Sequence, residues 1–160
     1  MRKILDERFL LNKRKYITQS LIVIFFMSFI LLYLDIVFEI PLVASLGATC
    51  FIIFALPHKN SSQLQYIAGG YSVGIVVGYL CYYGLNCFPI IPTSLWAAIS
   101  IGLSMFLMVI MNYEHPPAVA FTLGIVMNGM SIKTLIMTYL ALTLMLFVRH
   151  LLRNRLIDLL

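Results

Sequence analysis

Six apolar segments, separated by short polar connections, constrain this chain more than any other feature. Of its 160 residues, 62% are hydrophobic and only 11% are charged. A water-soluble fold would have to bury such segments on every side, whereas a lipid bilayer accepts them directly. We therefore predict an all-α, polytopic membrane bundle whose surroundings are lipid. The predicted helices cover residues 16–34, 40–56, 66–85, 93–111, 117–130 and 134–150.

The second and fifth segments are short for a membrane span. At 1.5 Å per residue, the fifth segment would extend over about 21 Å, against a hydrocarbon core of about 30 Å. Such a helix has to be tilted, buried among neighbours or re-entrant. Six crossings, and four crossings with two re-entrant segments, remain equally open.

Positive charge is concentrated at the two chain ends and in the connection that contains Lys59, so the net charge of +5 indicates topology and not a nucleic-acid partner. We expect a multi-pass protein of the inner cell membrane with both termini cytoplasmic. The basic parts are residues 1–15 at the N-terminus and a tail at 151–160.

The two short segments begin alike. Pro41-Leu-Val-Ala and Pro117-Ala-Val-Ala are 76 residues apart, and each is followed by a small residue, Ala48 or Gly124. The single domain therefore divides into a first repeat, 16–85, and a second, 93–150. Three crossings per half would make these repeats inverted, an arrangement that places a binding site near paired short helices in transporters.

A glycine at every fourth position runs along the third segment, at Gly70, Gly74 and Gly78. This spacing lets another helix backbone approach closely, with Ala98 and Gly102 on the fourth segment as the predicted partner face. The seam would serve packing within the chain or in a homo-oligomer, either a dimer or a trimer.

Proline at the first turn of the fifth segment points to an anion site. Pro117 needs no N–H there, and the N–H groups of Ala118, Val119 and Ala120 would be free to bind a small anion at the positive end of the helix dipole. The same dipole would keep His115 neutral. The full substrate path that we predict consists of His115, Pro116, Pro117, Ala118, Val119, Thr122, Pro41, Ser45, Thr49 and His58.

Other chemistry has little support in the sequence. Cys50, Cys81 and Cys87 have neither the spacing nor the histidine partners of a zinc site, and all acidic residues lie outside the centres of the spans. We predict no enzyme activity, no catalytic residue, no metal and no cofactor.

Five sequence elements resemble the HPP family of integral membrane proteins, which is named for a His-Pro-Pro tripeptide. They are Gly47-Ala48-Thr49, Phe54-Ala55-Leu56-Pro57-His58, Gln63, Gly69-Gly70 and His115-Pro116-Pro117-Ala118. The resemblance covers residues 41–124 and implies a multi-pass membrane protein. Some plant and cyanobacterial members of the family are described as nitrite transporters. The chain departs from the family pattern at Val119, where a small residue is usual, and at residues 59–65, where a proline-rich loop is usual.

A transporter or channel for a small monovalent anion such as nitrite is thus the leading hypothesis. One alternative is a structural or accessory membrane subunit, for which Gly74→Leu would abolish function through assembly while His115→Ala would be harmless. The other is a membrane enzyme or metal site that uses His58 and His115.

Overall fold

A computed structural model of the chain describes residues 7–34 and 40–159, and over these residues the fold is entirely helical. The prediction of an all-α bundle is confirmed. A short 3-10 turn, η1, lies at Asn60–Ser62. The six α-helices are α1 (Glu7–Leu34), α2 (Ile40–Ala55), α3 (Leu64–Cys87), α4 (Thr93–Ile110), α5 (Pro116–Asn128) and α6 (Ile132–Leu152).

Most helix ends follow local sequence signals. Pro116 and Pro117 occupy the first turn of α5, where their missing N–H groups cost nothing. Gly129 ends α5 with a φ of 65°, a conformation that glycine adopts without strain. Ser131 caps α6, since its hydroxyl accepts a hydrogen bond from the Thr134 N–H at 3.1 Å.

The first helix begins earlier than predicted, at Glu7 instead of residue 16. Hydrophobicity marks where a helix can enter lipid, but Lys and Arg also favour helix, so the basic segment before residue 16 is helical too. Asn12 has non-helical angles, φ −124° and ψ 27°, and marks a kink within this extension. The predictions for residues 1–6 and 35–39 lie outside the described part of the chain.

The helices alternate in direction. In the first half of α1, Gln19 donates a hydrogen bond to the carbonyl of Phe54 at the end of α2. As this alternation requires, α3 and α5 run parallel, because Gly70 lies against His115 and Gly78 lies against Ile125. The end of the bundle where α2 ends and α3 begins therefore also holds the start of α5 and the end of α6. We call it the His115 end.

Residues 153–159, within the predicted basic tail, pack against the His115 end. The Leu159 N–H donates to the Ala55 carbonyl at 2.8 Å, and the Tyr16 hydroxyl donates to the Leu159 carbonyl at 2.7 Å. The Gln19 side chain donates to the Ile157 carbonyl and accepts from the Ile157 N–H, and Leu156 is buried. This segment therefore joins the first half of α1 to the end of α2.

Four helices are long and apolar enough to cross a membrane: Leu10–Leu32 within α1, then α3, α4 and α6. Large apolar side chains such as Phe25, Leu32, Phe106 and Phe147 are exposed on their outer faces. Exposure of so much apolar surface to water is unfavourable, so these faces require lipid. The chain is a multi-pass membrane protein.

The shorter helices α2 and α5 lie in the interior and pack against each other. With 16 and 13 residues, they extend over about 24 and 20 Å. A long helix, a short helix and a long helix thus occur twice along the chain. This order fits the 3+3 inverted repeat, which stays a prediction because an up-and-down bundle would show the same order.

Candidate functional site

The glycine stripe of α3 lets α5 approach closely along most of its length. A Cβ atom at Gly70 would lie 2.6 Å from the Cβ of His115, and one at Gly74 would lie 2.7 Å from the Thr122 hydroxyl oxygen. At Gly78 the nearest atom, the Cβ of Ile125, would be 2.9 Å away. Real side chains do not come this close, so these positions require glycine, and the close approach buries the start of α5.

The glycines do not pack on the predicted partner face of α4. Ala98 and Gly102 are both exposed, and a Cβ at Gly102 would meet nothing within 4 Å. The partner is α5, where Ala118 and Thr122 repeat the four-residue spacing of the stripe. Two apolar helices offered similar small residues, and the sequence pattern indicated the wrong one.

His115 is completely buried where α2, α3, α5 and η1 meet. Its Nε2 lies 3.0 Å from the Thr49 hydroxyl oxygen on α2, and its Nδ1 lies 3.2 Å from the Ser61 carbonyl oxygen in η1. Although His115 holds the N-cap position of α5, its side chain does not cap that helix. The imidazole instead connects the interior helix α2 with the turn at the His115 end.

Tyr71 on α3 continues this hydrogen bonding into the bundle. Its hydroxyl is 3.0 Å from the Thr49 hydroxyl and 2.7 Å from the Ser45 hydroxyl, and Ser45 in turn donates to the Pro117 carbonyl at 2.8 Å. Ser45, Thr49, Tyr71 and His115 are all buried. We call the run from the Ser61 carbonyl through His115, Thr49, Tyr71 and Ser45 to the Pro117 carbonyl the polar chain.

The sequence pattern did not single out Tyr71 or Ser61. Tyrosines near the ends of apolar segments usually mark the membrane interface, and most tyrosines of this chain fit that rule. Tyr71 differs because it lies three residues before Gly74 and seven before Gly78, a spacing that places it on the same face of α3. That spacing was the available signal, since this face packs on α5 and Tyr71 is fully buried.

Burial lowers the pKa of His115 to about 4, and the hydrogen bond to the Ser61 carbonyl acts in the opposite, smaller sense. The imidazole is therefore neutral at pH 7, as predicted. The main cause is desolvation, whereas the sequence had suggested the dipole of α5.

The start of α5 does not offer all the free donors that were predicted. The Ala118 N–H donates to the His115 carbonyl at 2.9 Å, so the prediction that it is free is wrong. Pro117, Ala118 and Thr122 are buried, and the Thr122 hydroxyl donates to the Ala118 carbonyl. Val119 is half-buried and Pro116 is exposed.

The starts of the two short helices do not meet. Thr49, in the middle of α2, lies beside His115, whereas Pro41 is eight residues earlier, about 12 Å away along the helix axis. The side chain of Pro41 lies outside the described part. The structure thus brings together Ser45, Thr49, His115 and Pro117 but separates them from Pro41.

His58 lies apart from His115, exposed at the surface of the His115 end. Its Nδ1 is 3.4 Å from an Asp158 carboxylate oxygen. It also lines a cavity of about 340 Å³ together with Pro57, Gln63, Arg149 and Arg153. Arg149 donates a hydrogen bond to the Pro57 carbonyl. The walls of this cavity are mainly polar and carry two guanidinium groups.

A second cavity, of about 420 Å³, lies between α4 and α5 and is bordered by His115 and Glu114. Its other walls are apolar, so it suits hydrocarbon better than an ion. Its remaining lining residues are Ile101, Met105, Met108, Val109, Pro116 and Val119.

No cluster of three metal-ligating side chains occurs within residues 7–34 and 40–159. Cys50 and Cys81 are buried thiols, and Cys87 is an exposed one. The two histidines of the metal-site hypothesis point into different environments, one buried and one paired with Asp158.

The fold and the buried polar chain define a class of protein: a multi-pass helical membrane protein with two short central helices and hydrogen-bonding side chains in its interior. Within that class, the chain belongs to the family described as HPP, transmembrane region, whose match covers residues 11–158. The resemblance based on His115-Pro116-Pro117 is thereby confirmed. No curated protein and no solved structure matches the chain.

Proposed function

We propose that this protein transports a small monovalent anion of the size of nitrite along a path that passes His115. The polar chain is the observation that carries the proposal. Burying polar side chains in a membrane bundle costs free energy, and helix packing alone does not require four of them at one junction. Their position between the two short helices supports a role in a path through the protein.

The charge at the His115 end favours an anion. Arg149 and Arg153 line the polar cavity, and no carboxylate is among its lining residues in the described part. Two guanidinium groups beside a cavity attract anions and repel cations. We infer that this cavity is the mouth of the path.

Residues 57–63 lie between this mouth and His115. Pro57, His58 and Gln63 line the cavity, while the Ser61 carbonyl bonds to the imidazole. The Ser62 hydroxyl holds the segment in shape through bonds to the Pro57 and Lys59 carbonyls, at 3.0 and 2.7 Å. With Ser61 over the imidazole, His115 is sealed from the cavity. Movement of this segment would open a route between them, and transport by alternating access requires such a step.

Flux measurements in proteoliposomes test the proposal. Nitrite, nitrate, formate and chloride are offered in turn to the wild-type protein, to His115→Ala and to His150→Ala. His150 is an exposed histidine on α6 and serves as the matched control. We expect wild type and His150→Ala to conduct nitrite and His115→Ala to lose most of that flux.

Size-exclusion profiles and thermal melts must first show that the His115→Ala protein is folded. Absence of flux for all four anions in folded wild type would refute transport and favour the accessory-subunit alternative. Equal flux in wild type and folded His115→Ala would show that the path does not pass the polar chain.

A further inference from the structure

The polar chain contains five hydrogen-bond contacts and ends on a carbonyl oxygen at both sides. The contacts join Ser61 O to His115, His115 to Thr49, Thr49 to Tyr71, Tyr71 to Ser45, and Ser45 to Pro117 O. Carbonyl oxygens only accept hydrogen bonds. All the hydrogens in these five contacts must therefore come from the four side chains between the two ends.

Four neutral side chains cannot fill five contacts. A neutral imidazole has one N–H, and Ser45, Thr49 and Tyr71 each have one O–H. The Ser61 carbonyl takes the His115 hydrogen, on Nδ1, and the Pro117 carbonyl takes the Ser45 hydrogen. Two hydrogens, those of Thr49 and Tyr71, then remain for three contacts. One contact in the neutral polar chain always lacks a hydrogen.

A single added proton removes this deficit. With both ring nitrogens protonated, His115 donates to Ser61 O and to Thr49, Thr49 donates to Tyr71, Tyr71 donates to Ser45, and Ser45 donates to Pro117 O. We propose that the polar chain is a binding site for one proton, in which His115 carries the charge and the three hydroxyls turn to point away from it. The proton comes from water and forms an N–H bond at Nε2; no other covalent bond changes.

Burial of the imidazole opposes this uptake, because a charged ring without water is costly. An anion beside the ring would offset that cost, so the proton and the anion would bind together. This second step rests on the proposed function, whereas the proton site itself does not.

Few other ionisable groups lie near the imidazole. The titratable residues on the adjoining parts of the surrounding elements are Tyr66 and Tyr71 on α3, Cys50 on α2, His58 and Lys59 before η1, and Tyr113 and Glu114 on its own connection; the other tyrosines and cysteines of α3 lie two or more turns beyond Tyr71. Lys59 and Glu114 are exposed, so water and salt screen their charges. Among the neighbouring groups, the hydroxyls of the polar chain are thus the ones that raise the proton affinity against the effect of burial.

Removing one hydroxyl provides the test. In Ser45→Ala, three contacts remain and three hydrogens are left to fill them, so the neutral chain has no deficit. The same holds for Tyr71→Phe. Both variants should therefore lower the pKa of His115. The shift should be about one unit, which corresponds to the free energy of the one hydrogen bond that protonation adds in the wild type. Ser45→Ala is the sharper test, because Ser45 does not touch the imidazole.

The pKa is measured by NMR on the full-length protein in detergent micelles with ¹⁵N-labelled histidine. The three histidines are assigned with His115→Gln, and the signals of His58 and His150 report whether each variant is folded. Thr138→Val is the matched control, because the buried Thr138 hydroxyl bonds to the Thr134 carbonyl and not to the polar chain. A His115 pKa in Ser45→Ala equal to that in wild type and in Thr138→Val would overturn the proton site.

A second arm adds nitrite or chloride at equal ionic strength, in the pH range where nitrite stays ionised. A higher His115 pKa with nitrite than with chloride would support joint binding. No difference would count against the anion site and the coupling, while the effect of Ser45→Ala would still decide the proton site.

Discussion

Adding one methyl group at Gly74 should destabilise the protein, although alanine is normally the better helix residue. In an exposed helix, Gly→Ala stabilises by about 1 kcal/mol. Here the new Cβ would lie 2.7 Å from the Thr122 hydroxyl oxygen and 3.0 Å from the Ala118 carbonyl oxygen. Ordinary contact begins near 3.4 Å, so α5 would have to move by about 0.7 Å.

A shift of that size would disturb the core around Ala118 and the first turn of α5. Overpacking of a well-packed interior costs typically about 1–3 kcal/mol, which equals or exceeds the gain in helix propensity. We therefore expect Gly74→Ala to have a net destabilisation of up to about 2 kcal/mol. Gly102→Ala is the control, since its Cβ would meet nothing within 4 Å, and it should be neutral or slightly stabilising.

Thermal unfolding of both variants in one mild detergent, followed by circular dichroism, measures the difference. Thr122→Ala in the Gly74→Ala background removes the closest atom and should recover part of the loss. A Gly74→Ala protein that melts at or above the temperature of Gly102→Ala would refute the argument that α3 and α5 are in direct backbone contact.

Two further predictions concern charge. Arg153→Gln should raise the nitrite concentration needed for half-maximal flux several-fold, because the cavity at the His115 end loses one of its two guanidinium groups. Arg155 lies outside that cavity, so Arg155→Gln should leave this nitrite concentration unchanged. Wild-type stability should fall as the pH drops from about 6.5 to about 4, because an unfolded chain protonates His115 in this range and the folded protein, with its lowered pKa, does not. Unfolding measured across this range should lose about 3 kcal/mol at most, and His115→Gln should lose clearly less.

Sequence patterns predicted the helices well because each helix is an apolar run with a clear end. Five of the six predicted starts lie within two residues of the observed ones, and the exception is α1. Its basic first turns carry no hydrophobic signal, yet they still form helix. Which segments touch was harder to predict: Gly74 needed a partner with small residues, and both α4 and α5 provided them.

The candidate site was predicted in part. The His-Pro-Pro tripeptide drew attention to the start of α5, and Ser45, Thr49 and His115 do come together there. The inference from free backbone N–H groups and from Pro41 failed to anticipate the geometry, since α2 meets α5 at its middle and not at its start. Hydrogen bonds between distant segments, such as that of Tyr71 with Ser45, depend on tertiary packing and leave no periodic trace in a sequence.

The contacts of residues 157–159 affect the order in which the bundle can be completed during synthesis. Tyr16, Gln19 and Ala55 find hydrogen-bond partners in this segment, which leaves the ribosome after all six helices. The first two helices can insert early, but their ends at this side of the bundle stay unfinished until translation has passed the sixth helix. A protein stopped before that point would contain every transmembrane helix and still lack the piece that closes the first helix onto the second.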